Sequence, residues 1–407
     1  MNVLAISSMY PSAAQPVHAV FVEQRIFAIA RHAKVVVVSP IPWFPLGALL
    51  PRYAHRRHIP RREVRGGVEV HYPRFLSFPK ILKPLDGFFL FVSCWNVAQA
   101  IGRDFPIDLI DAHLAYPDGW GGILLGKLLR RPVSVTLRGH DLNDLPQYPV
   151  RRRQVAWALQ SADVVIAVAD ALRDSALALG APPERTLTAG NGVDAQKFFP
   201  RDRAQARKAV GILGDGPLVL SVGHLVVRKG FHHLVRAFPR VLAMHPNARL
   251  AIVGAPGEEG NAQEMIRRTI EECGLQERVI LVGAVEHEKL SPWYSAADVF
   301  CLPSEKEGRA NVLLESLACG TPVVATRVWG TPEILCDDSL GILVDSIQPE
   351  PLGTALLQAL ARPWDREKIV ASSRRFSWET SARAILDAWH RAQNAAAQDA
   401  AEKAKAS

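Results

Sequence analysis

The 407-residue chain has few cysteines and no long apolar run. Its five cysteines form no Cys-x-x-Cys pair, which argues against zinc ligands and favours reduced thiols in a cytoplasmic protein. Apolar runs such as residues 88–92 are far below the roughly 20 residues that a membrane span needs. The apolar start, residues 3–6, is too short for a signal peptide and lacks a basic flank. The sequence therefore predicts neither a disulfide scaffold, a secreted protein nor a membrane span.

Glycine is absent from the first 46 residues, where a dinucleotide-binding fold would need it. Such a fold requires Gly-x-Gly-x-x-Gly directly after its first strand, so that the backbone can approach a pyrophosphate. Gly254, Gly257 and Gly260 follow a later apolar run at three-residue spacing, which is only a weak match. Hydride transfer is therefore a disfavoured function for this chain.

Acidic residues are scarce in the first half of the chain. Residues 1–190 hold 22 Lys and Arg against 14 Asp and Glu, whereas residues 191–407 hold 26 of each. The densest basic stretch contains Arg52, Arg56, Arg57, Arg61, Arg62 and Arg65. Such a patch attracts the phosphates of nucleic acid or of an anionic lipid surface, unless it is a solvated loop. Aromatic residues are not interleaved with these arginines, which disfavours nucleic acid.

Short apolar runs alternate with helical patterns along the whole chain. Strands are predicted in the first half at residues 3–6, 35–38, 68–72, 109–112, 133–137 and 164–167. The pattern restarts after residue 195, with strands at 218–222, 250–253, 279–282, 299–302, 323–325 and 341–344. Apolar strands alternating with helices predict parallel sheets covered on both faces. We therefore expect an α/β protein with two Rossmann-like domains at residues 1–192 and 196–375, and a frayed tail over 395–407.

The strongest chemical pattern lies in residues 303–325. A polar loop follows a predicted strand, and a helix then starts near Ala310 or Asn311; its free N–H groups and dipole form an anion site. Gly308 allows the backbone to approach a ligand closely. Glu307 precedes this site, and Glu315 lies on the same helix face as Asn311. A phosphate flanked by carboxylates, which accept hydrogen bonds from hydroxyls, fits a nucleotide sugar. Two surface carboxylates beside an ordinary cap are the alternative.

The spacing Glu-x7-Glu, from Glu307 to Glu315, is followed by Ala-Cys-Gly-Thr-Pro-Val-Val. This segment resembles the retaining family-4 glycosyltransferases of the two-Rossmann (GT-B) fold. The resemblance extends to the turn at residues 191–194, the loop at 222–230 and the opening of the last helix at 376–378. It implies two domains that face a central cleft, with the helix at 376–394 crossing back onto the first domain.

The resemblance also implies roles for individual residues. Glu307 is expected to hold hydroxyls of the donor sugar, Glu315 the ribose, and Lys229 to neutralise the departing pyrophosphate. His113 resembles the first-domain histidine that faces the donor sugar. The other donor-binding residues are expected to be Gly223, His224, Arg228, Gly308, Arg309, Ala310, Asn311 and Val312.

Two positions depart from the family pattern. His224 stands where relatives usually carry Arg, whose charge is permanent. We hypothesise that Arg228 supplies the missing charge from the same loop. Residues 13–16 read Ala-Ala-Gln-Pro where many relatives have paired glycines, so the backbone cannot approach the donor phosphate so freely there.

The implied function is retaining transfer of a hexose from a UDP- or GDP-linked sugar to a lipid-linked or polysaccharide acceptor in bacterial surface-glycan synthesis. The chain contains no Asp-x-Asp clamp for a metal–nucleotide complex, so no metal is expected. The basic stretch then predicts contact with the inner face of the plasma membrane. A nucleotide-sugar epimerase of the same fold and a non-catalytic nucleotide-sugar-binding subunit stay open as alternatives.

Overall fold

A computed structural model describes residues 1–16, 18–45, 47, 53, 55–212, 214–257 and 260–406. The chain divides into two compact units, one comprising Met1–Asn191 with Trp378–Ser407 and the other Gly192–Ser377. Each unit contains a sheet that is wholly or mostly parallel, and helices join most of its strands. The predicted α/β class with two Rossmann-like domains is therefore confirmed.

The first unit is built on an eight-stranded sheet and a separate pair of strands. The strands of the unit are β1 (Asn2–Ile6), β2 (Lys34–Val38), β3 (Ile41–Trp43), β4 (Arg62–Arg65), β5 (Val68–His71), β6 (Arg74–Leu76), β7 (Leu109–His113), β8 (Val133–Leu137), β9 (Val164–Ala167) and β10 (Thr186–Thr188). Its helices include α1 (Val20–Ala30), α2 (Asp86–Ile101), α3 (Trp120–Leu129), α4 (His140–Asn143), α5 (Pro149–Ser161) and α6 (Asp170–Ala178). The sheet order is β10-β9-β8-β7-β1-β2-β5-β4, while β3 and β6 pair separately. The central strands are buried on both faces, which explains their continuous apolar runs.

The basic stretch is not one continuous loop, the alternative considered from the sequence, because part of it forms a strand. Strand β4 pairs antiparallel with β5 at the edge of the sheet. Gly66 and Gly67 connect them with φ angles of 53° and 82°, the left-handed backbone that a two-residue hairpin turn requires. Arg65 Nε lies 2.6 Å from Glu23 Oε1, and Arg62 Nε lies 2.9 Å from Glu69 Oε1. Part of the positive charge is therefore compensated within the unit.

The rest of this stretch has a different structure. Arg56 and Arg57 lie in a short 3₁₀ turn, His55–His58. Arg56 also lies over the Tyr53 ring, 5.0 Å from its centroid. Arg61 precedes β4, and Arg52 lies outside the described residues.

The second unit carries a six-stranded, wholly parallel sheet. Its strands are β11 (Leu218–Val222), β12 (Arg249–Val253), β13 (Val279–Gly283), β14 (Val299–Leu302), β15 (Val323–Thr326) and β16 (Gly341–Val344), in the order β13-β12-β11-β14-β15-β16. Its helices are α7 (Arg203–Ala209), α8 (Phe231–Met244), α9 (Gln263–Glu272), α10 (Ser291–Ala296), α11 (Asn311–Ala318), α12 (Thr331–Ile334), α13 (Pro349–Ala361) and α14 (Arg366–Ser373). Two apolar clusters, one on each face of the sheet, form its core.

The last helix, α15 (Trp378–Ala406), belongs to the first unit. Trp378, Ile385 and Trp389 join the core cluster that contains the apolar face of α1. The tail that was expected to fray from residue 395 is helical as far as Ala406. Its alanines, its two lysines and Glu402 are strong helix formers, which favours this helix; the fraying of its end stays a prediction. No helix in the described ranges is long and apolar enough to cross a bilayer.

Candidate active site

The predicted site lies where β11 and β14 end. These strands are parallel neighbours, with Val219 opposite Val299, so the loops that follow them meet at one edge of the sheet. Gly230 ends the first loop with φ = 67°, and a Cβ atom there would lie 2.0 Å from the carbonyl oxygen of Pro303 in the second loop. Only glycine permits this approach and this backbone conformation.

The approach of the two loops brings Lys229 and Glu307 together. Lys229 Nζ donates a hydrogen bond to Glu307 Oε1 at 2.5 Å, and the two residues are only 9% and 8% exposed. Arg228 Nη1 lies 3.9 Å from the same carboxylate oxygen and donates to the Lys306 carbonyl at 3.2 Å. Burial alone would raise the pKa of Glu307, but Lys229 and Arg228 outweigh it and lower that pKa below its ordinary value. Glu307 is therefore an ionised acceptor for hydroxyl donors.

Helix α11 begins immediately beyond Glu307. Its N-cap residue, Ala310, has extended backbone and no side chain that can accept from the first-turn N–H groups. Those groups and the helix dipole form an electropositive tip that suits an anion. The helix begins at Asn311, as expected from the sequence. Its last residue is Ala318, and Gly320, with φ = 75°, lies just beyond its end. Asn311 and Val312 are partly exposed at this tip.

The Arg309 side chain is engaged within the second unit. Its Nη1 lies 3.4 Å from Glu333, and its guanidinium lies 5.2 Å from the centroid of the Phe376 ring. Arg309 is therefore expected to offer a ligand its backbone N–H rather than its side chain. Gly308, which precedes it, is partly exposed.

Glu315 is buried one turn into α11. Its Oε1 lies 2.8 Å from His287 Nε2, and its Oε2 accepts from the Tyr294 hydroxyl at 2.7 Å. Burial would lower the pKa of His287, but the hydrogen bond and charge of Glu315 raise it. Phe198 packs edge-on against His287 at 5.0 Å. This arrangement holds the Glu315 carboxylate in one orientation.

Sequence reasoning missed His287 and Tyr294. His287 follows strand β13, at the carboxyl end of a parallel strand, where ligands bind in such sheets. That position is a signal that could have identified it. Tyr294 carries no comparable signal, because it lies within the buried, largely apolar helix α10.

The loop after β12 packs against the loop that contains Gly223 and His224. A Cβ atom on Gly254 would lie 1.8 Å from the carbonyl oxygen of Gly223, and one on Gly257 would lie 3.1 Å from Cβ of His224. These glycines, considered above as a weak dinucleotide pattern, therefore permit two loops to pack closely. His224 itself is exposed.

His113 lies in the first unit, at the end of β7, and is 1% exposed. Its Nε2 lies 3.0 Å from Asp111 Oδ2, and its Nδ1 lies 2.8 Å from Arg138 Nη2. Arginine only donates, so Nδ1 accepts and the proton is on Nε2. Burial, together with the charges of Arg138 and Arg25, lowers the pKa of His113 to about 4 despite the opposing effect of Asp111. The neutral ring thus has both nitrogens engaged; its predicted contact with a donor sugar stays a prediction.

Metal-ligating side chains do not cluster in the described ranges, where no three His, Cys, Asp or Glu residues are placed to share an ion. The five cysteines are free, and three of them, Cys94, Cys301 and Cys319, are buried.

Comparison with known proteins gives matches over both halves of the chain. A family model described as "Glycosyl transferases group 1" matches residues 202–376. One described as "Glycosyl transferase 4-like domain" matches residues 18–192. The chain is 33% identical over 301 residues to D-inositol 3-phosphate glycosyltransferase 2 of Catenulispora acidiphila, covering 70% of each protein. It is 29% identical over 348 residues to the putative teichuronic acid biosynthesis glycosyltransferase TuaC of Bacillus subtilis, covering 82% of this chain and 83% of that protein.

Solved structures share the fold. Sucrose-phosphate synthase from Thermosynechococcus elongatus superimposes with a TM-score of 0.78 at 23% identity, over 97% of this chain and 100% of that one. Anabaena HepE, solved in complex with UDP, superimposes with a TM-score of 0.69 at 21% identity, over 95% of this chain and 98% of that one.

Proposed function

The chain belongs to the glycosyl transferases of group 1, and we propose that it moves a hexose from a nucleotide-diphospho-sugar to a lipid-linked or polysaccharide acceptor. The product would be part of a bacterial surface glycan, and the reaction would retain the anomeric configuration without a metal. A relative from B. subtilis is named for teichuronic acid biosynthesis. Another, from Mycolicibacterium smegmatis, is named a GDP-mannose-dependent mannosyltransferase. These names support a surface-glycan role and a GDP-linked donor, while the complex of HepE with UDP is the support for a UDP-linked one.

The observation that carries the proposal is the buried ion pair of Lys229 and Glu307, which lies in the loops that precede the uncapped start of α11. In the proposed complex the pyrophosphate lies at the tip of α11, Glu307 accepts from hydroxyls of the sugar, and Glu315 accepts from the ribose. Lys229 is close enough to Glu307 to contact both the sugar side and the pyrophosphate side of this site.

The proposed reaction breaks the bond between the sugar C1 and the diphosphate oxygen, which keeps the electron pair. The acceptor hydroxyl attacks C1 from the same face, and its proton passes to the departing phosphate. Lys229, with Arg228 as the hypothesised replacement for the family's usual arginine, stabilises the charge that develops on the diphosphate. No second catalytic carboxylate is needed, unlike in a retaining glycosidase.

An anionic membrane surface is the proposed location of a lipid-linked acceptor. Arg62 and Arg65 on strand β4 form ion pairs, which compensate part of the positive charge of the basic stretch. Exposed apolar side chains lie elsewhere in the first unit: Ile81, Leu82, Leu85, Phe88 and Val92 are each more than 40% exposed. Apolar residues that insert beside cations are typical of interfacial binding. Binding to anionic vesicles that falls with salt, and that Phe88→Ser weakens, is the expected result; equal binding to neutral vesicles would contradict it.

The donor is tested by thermal shift and calorimetry with UDP-, GDP-, ADP- and dTDP-sugars, each with Mg²⁺ and with EDTA. A ligand that binds only the folded state raises the melting temperature. We expect a shift with one base, equal in Mg²⁺ and EDTA and lost in Glu315→Ala. Glu264→Ala, which removes an exposed carboxylate from α9 in the same unit, is the matched control.

Product analysis separates the alternatives. An epimerase converts the nucleotide sugar without an acceptor, a binding subunit leaves it unchanged, and a transferase releases the nucleoside diphosphate only as product forms. Proton NMR of the new glycosidic bond reports whether configuration is retained. No shift with any nucleotide sugar would refute the proposed donor site.

A further inference from the structure

A continuous chain of polar side chains lies at the carboxyl ends of β7 and β8 in the first unit. Arg25 Nη2 donates to Thr136 Oγ1 at 3.0 Å, and that hydroxyl donates to Asp111 Oδ1 at 3.3 Å. Asp111 accepts from His113, which accepts from Arg138, as described above. This series of hydrogen bonds therefore connects the buried Arg25 guanidinium on α1 to the Arg138 guanidinium beyond β8.

This cluster has more positive than negative charge. Arg25 is 1% exposed, and its Nε and Nη1 have no hydrogen-bond partner among the described residues. Arg138 Nε is also buried and unpartnered within the same part of the chain. Burial and the neighbouring charge of Arg25 lower the pKa of Arg138. Asp111 is the carboxylate bonded into the chain, so two guanidiniums share one hydrogen-bonded counter-charge.

Two other buried carboxyl groups lie in the same unit, and of these only Asp141 adds to the counter-charge that acts on Arg138. Burial raises the pKa of Asp118 to about 8, although Ser8 donates to it. Burial also raises the pKa of Asp141, whose oxygens accept from the backbone N–H groups of Ala115, Arg138 and Gly139. A buried guanidinium without sufficient counter-charge or hydrogen bonds is costly, and an anion beside it would offset that cost.

The position of the cluster is one where parallel sheets bind ligands. Strand β1 pairs with β2 on one side and β7 on the other, which makes the crevice between β1 and β7 the topological switch point. His113 ends β7, and Arg25 lies on the helix that follows β1. Arg138 is partly exposed as a residue, and its Nη1 donates to Asn191 Oδ1 at 3.1 Å, whereas Arg25 lies buried in the unit.

We propose that this cluster is a subsite for an anionic group of the acceptor, a phosphate or a carboxylate, with Arg138 as the contacting residue. The planar guanidinium suits both anions, because each accepts two parallel hydrogen bonds. Arg25 adds a buried positive charge, and His113 is a positioning residue that orients Arg138 through Nδ1. The inference rests on the proposed function, since an acceptor is required only by a transferase.

Hydrogen exchange with mass spectrometry locates the binding of a simple probe. Inorganic phosphate and, separately, acetate are added to the full chain, and exchange is compared in peptides covering residues 133–144 and 223–230. Protection of 133–144 is expected, and it should persist in Lys229→Met, which impairs the donor loop. Stronger protection by phosphate indicates a phosphorylated acceptor, and stronger protection by acetate indicates an acidic sugar. Protection by neither anion overturns the proposal.

Arg138→Gln and the exposed Arg103→Gln change the net charge equally and form a matched pair. Affinity for the protecting anion should fall at least about tenfold in Arg138→Gln, the factor expected when a charge-assisted contact is lost, and stay unchanged in Arg103→Gln. Arg25→Met should weaken binding by a smaller factor. Equal affinities in the two glutamine variants would overturn the proposal, whether or not the Arg25 variant folds.

Nucleotide-sugar binding distinguishes this failure from failure of the proposed function. Arg138→Gln should bind the nucleoside diphosphate of the donor as the wild type does, because the ribose and pyrophosphate contacts are proposed in the second unit. Loss of donor binding in the wild type would refute the transferase site, whereas normal donor binding without anion protection at 133–144 would refute only the subsite.

Discussion

Replacing Lys229 with Met tests the electrostatics of the proposed donor site. The substitution keeps an unbranched side chain and removes the ammonium 2.5 Å from Glu307. Removing one partner of a buried ion pair typically costs about 3–5 kcal/mol. Arg228, 3.9 Å away, compensates part of the remaining charge, so we expect a loss near 3 kcal/mol. The loss should be local to the two loops and to α11.

Hydrogen exchange in peptides covering residues 218–230 and 299–318 measures this loss, because it reports local stability. Lys306→Met, which removes an exposed cation from the same loop, is the control and should exchange like the wild type. The double variant Lys229→Met/Glu307→Leu should recover most of the stability, since apolar residues replace buried ion pairs with little cost. It should not recover turnover.

The pH dependence separates electrostatics from packing. In the wild type the pKa of Glu307 lies below its ordinary 4.5, so its contribution is present above that value and is lost as pH falls through the folded pKa. In Lys229→Met, burial dominates and the pKa is expected to rise above 4.5. The deficit of the variant should therefore be largest near pH 7 and shrink as pH falls. If Lys229→Met exchanged like the wild type at pH 7, or if its loss of stability did not depend on pH, this reasoning would be refuted.

Three further substitutions test the packing and the network of the fold. Gly230→Ala should lower the melting temperature and donor affinity, whereas Gly274→Ala, with φ = 65° and nothing within 4 Å of the added Cβ, should show only backbone strain of about 1 kcal/mol. Trp389→Ala should cost about 3–5 kcal/mol of unfolding free energy because the side chain is fully buried; the exposed Trp43→Ala should cost little, and equal losses would contradict the core assignment. His113→Asn, whose Oδ1 can accept at the position of Nδ1, should raise the KM for acceptor less than His113→Leu does, and an equal rise would argue against the positioning role.

The sequence by itself determined the fold class and much of the local geometry of the proposed donor site. Parallel strands buried on both faces need continuous apolar runs, so the central strands were readable. Glu307, Gly308 and the start of α11 are neighbours in the chain, and local geometry alone places a carboxylate beside a helix tip. The hairpin of β4 and β5 was missed because an exposed edge strand needs few apolar residues, although its paired glycines were visible.

Only the tertiary structure decided which side chains meet. The partners of Glu315 lie 21 and 28 positions away, and Arg25 reaches Thr136 across 111 positions. Such contacts depend on the order of strands in the sheet and on helix packing, which leave no local pattern. The same holds for charge: the basic stretch is conspicuous in the sequence but partly paired in the fold, whereas Arg25 and Arg138, unremarkable in the sequence, are brought together with a single bonded carboxylate. Burial and proximity determine how strongly a charge acts, and both are properties of the folded chain.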